Sequence, residues 1–429
     1  MTDQTVASLS TQTISREKIY LDSKDQEIIR FLANRVRELA DLPEQEEKRK
    51  LWYRHNALEK TRPVIFCDPE NGWNEIIRPQ DLQCQGELAR EWEITLRKEI
   101  FWGKSMGDDK VIDACFNVPY VYAENGWGLQ EKIIKTEDKG SYRWDPPLKD
   151  FKDMDRLHFP QVKVDNQASQ TLLELAEETF DRILTVRRRT TWWWTLGMTW
   201  TLVNLRGLSQ VMFDMHDHPR ELHRLMAFLR DGHLAKLDFL EENGLLSLNN
   251  DNTYVGSGGF GFTHELPQAD FDETRVRTRD MWGFAESQET AHVSPEMFAE
   301  FIFPYQYPIL DRFGLNCYGC CEPLHLRWQT VKKFPRLRRI SVSPWADWEK
   351  MAEYLGDNYI YSLKPLPASL ANPVIDEGYI RSELRRAMEI TKNCRVEVIM
   401  KDNHTLGENP QNVIRWCQIA QEEAEKIGE

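Results

Sequence analysis

Hydrophobic and polar positions along the chain alternate between two periods. Over residues 22–42, Ile28, Leu32, Val36 and Leu39 recur at helical spacing, which predicts an amphipathic helix. The charged stretch 43–60 extends the helical region, and residues 1–20, without apolar periodicity, read as a flexible and dispensable lead. Short apolar runs closed by turn residues predict strands. The first covers 63–67 and is ended by Asp68-Pro69 and Asn71-Gly72; a second covers 118–122. An amphipathic helix is expected near 86–102, and the turn-rich stretch containing Trp127, Gly128, Gly140, Pro146 and Pro147 reads as a decoration or lid.

Beyond residue 165 the two periods take turns. Helix 168–186 precedes a strand over 190–196. Pro219 opens a helix that Gly244 stops, before a strand over 245–248. Further strands are expected over 281–285, 314–319, 340–343, 359–362 and 396–400, separated by helices that begin at Ser294-Pro295, near 323, at Asp347, near 379 and at Asn409-Pro410. Strands alternating with helices predict a parallel sheet. About nine strand segments stand where eight would close a barrel, so one of them belongs to an insertion.

Charge narrows the classes. The chain carries 69 acidic and 55 basic residues, a net charge of −14, and its tight basic cluster is Arg187-Arg188-Arg189, read as a solvated loop end. Nucleic acid is therefore not an expected partner. No apolar stretch approaches a membrane span and no signal peptide stands at the start, so a cytoplasmic location is expected. The eight cysteines are scattered, which argues against a disulfide framework.

Chemistry-bearing residues gather where strands end. Cys320 and Cys321 follow the 314–319 strand, with Glu322 and His325 close behind, and a thiolate from this pair is a candidate zinc ligand. Asn249, Asn250 and Asp251 end the 245–248 strand and suit a small polar substrate. Glu286 and Gln288 follow the strand that contains Trp282; Lys364 follows the next-to-last strand and suits an anionic group. Lys401-Asp402-Asn403-His404 follow the last strand. The run Gly256-Ser257-Gly258-Gly259-Phe260-Gly261 fits GxGxxG, but Thr263 and Pro267 follow instead of a helix. It reads as a mobile active-site loop and not as a dinucleotide cradle.

Several stretches together resemble the uroporphyrinogen-decarboxylase-like superfamily: FAESQETAHVSPEMF at 284–298, NCYGCCEPLH at 316–325, LRRISVSPWADWEKMAEYLG at 337–356, YIYSLKP at 359–365 and VEVIMKDNHTLGENPQNVIRW at 396–416. The resemblance implies a (β/α)8 TIM barrel over 61–429 with insertions and an N-terminal helical extension over 1–60. Decarboxylases of that superfamily carry an Arg-rich turn after the first strand, where this chain has Cys67-Asp68-Pro69-Glu70. The resemblance therefore points to the branch that moves methyl groups between a small methylated substrate, a methyl ether or methylated amine, and a corrinoid protein. The alternatives are a decarboxylase and a non-catalytic binding barrel. No corrinoid-binding DxHxxG stretch is present, so the cobalamin is expected on a partner, with zinc as an optional cofactor and a homodimer compatible with the fold. The site residues it implies are His404, Glu286 and Asp402 as catalytic groups. Asn249, Asn250, Asp251, Trp282, Gln288, Tyr318 and Lys364 would contact substrate, and Cys320, Cys321 and His404 would hold a metal.

Overall fold

The structure is a computed structural model and describes residues 11–12, 14–129, 132–134 and 143–428. At its centre is a six-stranded parallel sheet built from β1 (Val64–Cys67), β4 (Trp282–Ala285), β5 (Leu315–Tyr318), β6 (Leu337–Val342), β7 (Ile360–Leu363) and β8 (Arg395–Met400), in the order β1-β8-β7-β6-β5-β4. A separate parallel pair joins β2 (Cys115–Val118) to β3 (Thr185–Arg188). The chain is thus mixed α/β with helices between parallel strands.

These strands follow the short, mostly apolar runs closely, because strands buried on both faces are rich in apolar residues. Asn316, Arg339, Ser341, Ser362 and Glu397, polar residues that they carry, are buried too. Three of the expected strands differ. The 118–122 run divides: β2 ends at Val118, and Tyr122–Glu124 belongs to a separate antiparallel sheet. Residues 190–196 and 245–248 form no ladder. Their links to β4 are single: Leu196 N–H donates to Phe284 O, and the Asn249 amide bridges both the N–H and the carbonyl of Trp282. A cavity of about 260 Å³ lies between these segments and β4, so strand pairing is replaced by open space.

Period-2 alternation divides the six-stranded sheet into two faces. Ile65, Ala285, Tyr318, Val342, Leu363 and Val398 pack under the helices in the main core. The opposite face presents Phe66, Phe284, Cys317, Arg339, Ser362, Glu397 and Ile399. Helix α2 (Pro43–Asn56) reaches that face: the Asn56 amide donates to Phe260 O and Phe262 O, and His55 Nε2 lies 3.2 Å from Glu397. The helical N-terminus therefore covers one face of the sheet; α1 (Ser23–Ala40), capped by Asp22, packs beside it on α3 (Glu87–Phe101).

The glycine-rich run corrects an expectation. Residues 255–263 are buried and pass over this same face, so the segment is a plug and not a mobile loop. A Cβ on Gly258 would stand 2.4 Å from Ile399 Cγ2, and one on Gly259 would stand 2.9 Å from Glu397 Oε1. Both glycines also have positive φ, which explains the residue type without any ligand.

The lead is another correction. Thr11–Gln12 pairs with Tyr122–Glu124, Arg16 grips Asp165 at 2.6 and 2.7 Å, and Ile19 is buried, so residues 11–12 and 14–19 are docked. Residues 1–10 of the expected lead, and Gly140 of the expected lid, lie outside the described residues. No helix among the described residues is long and apolar enough to cross a membrane.

Candidate active site

Parallel strands end together, so the residues that follow them converge. After β1 come Asp68 and Glu70; after β5, Cys320 and Cys321; after β8, Lys401 and Asp402. The Lys401 ammonium is buried, 3.7 Å from Glu70 Oε1 and 3.4 Å from Asp402 Oδ1. Cys321 Sγ is 3.8 Å from Asp402 Oδ2 and 3.6 Å from Cys320 Sγ, and the Ser257 hydroxyl donates to Cys320 Sγ at 3.3 Å. Asp68, Glu70, Lys401 and Tyr254 border a cavity of about 500 Å³ whose walls include Phe66, Trp102 and Trp194.

Glu70 is the unusual group. It has φ +48, in the left-handed region that costs a non-glycine residue energy, so surrounding contacts must hold it there. Its N–H donates to Asp68 Oδ1 at 3.0 Å, and the Trp73 indole donates to the same oxygen. Burial pushes the Glu70 carboxyl up to about 7; Lys401 opposes the shift and Asp402 and Asp68 add to it. A carboxyl divided between its two protonation states near neutrality is suited to proton transfer. Burial would lower the Lys401 pKa, but Tyr254, Cys320, Asp402 and Glu70 outweigh it and hold the ammonium charged.

The thiols split. The hydrogen bond from Cys321, opposed by burial and aided by Lys401, holds Cys320 below the ordinary thiol range; that bond and burial drive Cys321 upward. Glu286 is wholly buried and its Oε1 has no hydrogen-bond partner. Burial, with Glu289 and Glu322 nearby, raises its pKa well above the carboxylate range. Its other oxygen accepts from Gln288 N–H at 2.8 Å, while the Gln288 side chain turns to Glu289.

The other expected residues scatter. His404 is exposed and takes no hydrogen bond among the described residues. Among those residues no three His, Cys, Asp or Glu side chains are grouped as a metal cluster requires, so the Cys320, Cys321 and His404 donor set is not assembled and no metal step is drawn from it. Lys364 is buried, donates to Ser362 Oγ at 2.7 Å, and burial lowers its pKa to about 8. Tyr318 sits on the helix-covered face and donates to Gln306 Oε1 at 2.8 Å. Trp282 is buried at the start of β4 with its indole bonded to Gly261 O. Asn249 clamps β4, Asn250 donates to Leu266 O, and Asp251 pairs with Arg187 and Arg189.

Glu70 and Lys401 are the residues a reading of the chain missed. The signal for Glu70 was the pair of carboxylates just after β1; for Lys401 it was a lysine just before Asp402 at the end of the last strand.

Comparison with known protein families finds no match, and no curated protein sequence matches either. A solved structure, a methyltransferase from Methanosarcina mazei, aligns with 87% of this chain and 97% of its own at 11% identity and a TM-score of 0.45.

Proposed function

We propose that the chain is an enzyme that transfers a methyl group between a small methylated substrate, a methyl ether or methylated amine, and a corrinoid carried by a separate protein. The observation that carries the reading is Glu70, a carboxyl with a pKa of about 7 at the edge of an aromatic-lined cavity. Breaking a bond from oxygen or nitrogen to methyl is helped by an electrophile on the departing heteroatom, a proton or a Lewis-acidic metal, and Glu70 can supply the proton. In the demethylating direction Glu70 gives that proton as the methyl leaves; in the reverse direction the same carboxylate takes it back. The corrinoid supplies a nucleophile for the methyl group. This chain's part is to bind the substrate among Phe66, Trp102 and Trp194 and to hold the proton on Glu70 by burial, with Lys401 beside it easing the proton's release. Trp194 and Trp345 are 49% and 67% exposed, which offers apolar surface to a partner.

The fold reading that accompanies this function is a (β/α)8 barrel in which 189–196 and 245–249 complete the wall. Its support is the set of single bonds across the gap, including Arg189 to Leu248 O and Trp192 Nε1 to Leu245 O.

The test is to mix the chain with a corrinoid protein reduced to the cob(I)alamin state and methyl ethers or methylamines and follow the cobalamin spectrum. Methylcobalamin should form with at least one substrate, and Glu70→Gln should slow its formation by about 10²-fold. No methylcobalamin with any substrate, or full activity in Glu70→Gln, counts against the reading.

A further inference from the structure

The run Arg187-Arg188-Arg189 is not a solvated loop end. It closes β3, where alternate side chains face opposite ways. Arg188 turns outward: its guanidinium stacks over the Tyr120 ring at 4.9 Å and donates to Pro119 O and Ser169 O. Arg187 and Arg189 turn the other way and line the cavity that holds Glu70. Arg189 lines the smaller cavity as well, as do Trp194 and Tyr254, so these three residues stand where the two spaces meet.

The other charged residues of the wall have partners of their own, Asp113 among them, which takes Arg49 at 2.9 Å. Lys110 pairs with Glu99 at 2.6 Å, and Lys401 has Glu70 and Asp402. Arg187 and Arg189 share one carboxylate: Asp251 Oδ2 lies 3.2 Å from the first and 2.8 Å from the second. Asp251 is the only hydrogen-bond partner of Arg187 among the described residues, and its other oxygen is taken by the Thr253 hydroxyl at 2.5 Å. Two guanidinium groups facing one carboxylate leave one positive charge at the cavity wall, opposite in sign to the Asp68 and Glu70 end.

We infer that Arg187 and Arg189 form an anion subsite and that the small substrate of this cleft carries a carboxylate. Two guanidinium groups that share one carboxylate keep donors for a second, and the planar guanidinium fork matches a carboxylate's two oxygens. The carboxylate would anchor at β3 while the methylated atom points toward Glu70. The methylated part of this description rests on the function proposed above; the anion subsite does not.

The probes are 4-methoxybenzoate and 4-methoxybenzamide, matched in size and differing in charge, titrated calorimetrically into the whole chain. The carboxylate should bind about tenfold more tightly, the scale of a charged hydrogen bond. In the double variant Arg187→Gln/Arg189→Gln, with its fold checked by circular dichroism, the two probes should come within about threefold. Asp251→Asn, which removes the competing carboxylate, should tighten 4-methoxybenzoate severalfold and leave the amide unchanged; this arm stands even where the double variant does not fold. Equal affinities in the wild type, binding of neither probe, a preference that survives loss of both arginines, or no gain in Asp251→Asn overturns the subsite. An intact preference without methyl transfer removes the functional reading alone; methyl transfer without the preference removes the subsite alone.

Discussion

Two carboxylates on or beside the same sheet face have opposite fates. Glu397 lies in the middle of β8, wholly buried; Glu70 lies just past β1, at the mouth. Burial pushes both carboxyls up. At Glu397 the push is overcome: Arg339 at 3.0 Å, then His55 and Lys364, bring its pKa down to about 2. The Ser362 hydroxyl completes its shell at 2.5 Å. At Glu70 the nearest cation is 3.7 Å away, shared with Asp402, and burial wins. Burial sets the size of the stake and partners set its sign. A carboxylate with a dedicated guanidinium is structural, whereas one that shares a lysine stays free to exchange a proton.

The largest expected effect breaks the structural member. Arg339→Met strands Glu397 and frees Asn56 and Phe260 O, and should cost about 3–5 kcal/mol in urea denaturation. Adding Glu397→Leu should recover part of that loss, since it removes the stranded charge but leaves His55 and Ser362 without their partner. Recovery of none would mean that the pair does more than satisfy itself.

Glu70→Gln should come next, with methyl transfer slowed by about 10²-fold, or about 2.7 kcal/mol in the barrier. Stability should change little, because the amide keeps the volume. Gly258→Ala then tests the plug over the same sheet face. Its Cβ would meet Ile399 in a φ +116 backbone, so a loss of about 1–3 kcal/mol in thermal unfolding is expected.

The two carboxylates should also respond to pH in opposite directions. Glu397 has a lowered folded pKa, so its stabilisation is present above the ordinary value of 4.5 and is lost as pH falls toward about 2. Glu70 has a raised folded pKa, so the advantage of its neutral form is present below 4.5 and is lost as pH rises through about 7. Its side chain is 33% exposed, which limits that loss to about 1–2 kcal/mol. Comparing wild type with Glu70→Gln at pH 5 and pH 8 should show the variant gaining relative stability at the higher pH; a constant difference would place the Glu70 pKa elsewhere.

The smallest effect is expected at His404. It is exposed and lacks a hydrogen bond among the described residues, so His404→Ala should leave stability within about 0.5 kcal/mol. Turnover should stay within about threefold, under ~1 kcal/mol in the barrier. A 10²-fold loss of turnover would move the proton-transfer role from Glu70 to the rim.

Much of the fold was legible because it depends on neighbours in the chain. The runs that became β1 and β4 to β8 were short and mostly apolar, and the caps at Asp22, Ser294 and Asp347 accept the backbone bonds their residue types suggest. The 190–196 run was legible as β-prone but not as unpaired, since a ladder depends on what lies alongside. The site was legible only as a place. Cys320, Cys321, Asp402 and Glu286 were found at strand ends, while His404, equally well placed by position, faces solvent.

Tertiary structure decided the rest, because pKa and charge balance depend on distances between remote segments. Glu70 needs Lys401 and Asp402 from the far end of the chain, and Asp68 beside it, to set its proton affinity. Arg187 and Arg189 become an unbalanced pair only when Asp251 is the single carboxylate within reach. The glycines at 258 and 259 are fixed by Ile399, Glu397 and Arg339, none of them near in sequence. By itself the sequence determined which segments form strands and helices and which chemical groups stand at their ends. Only the folded chain decided which of those groups are dry, which are paired, and which keep a proton to give.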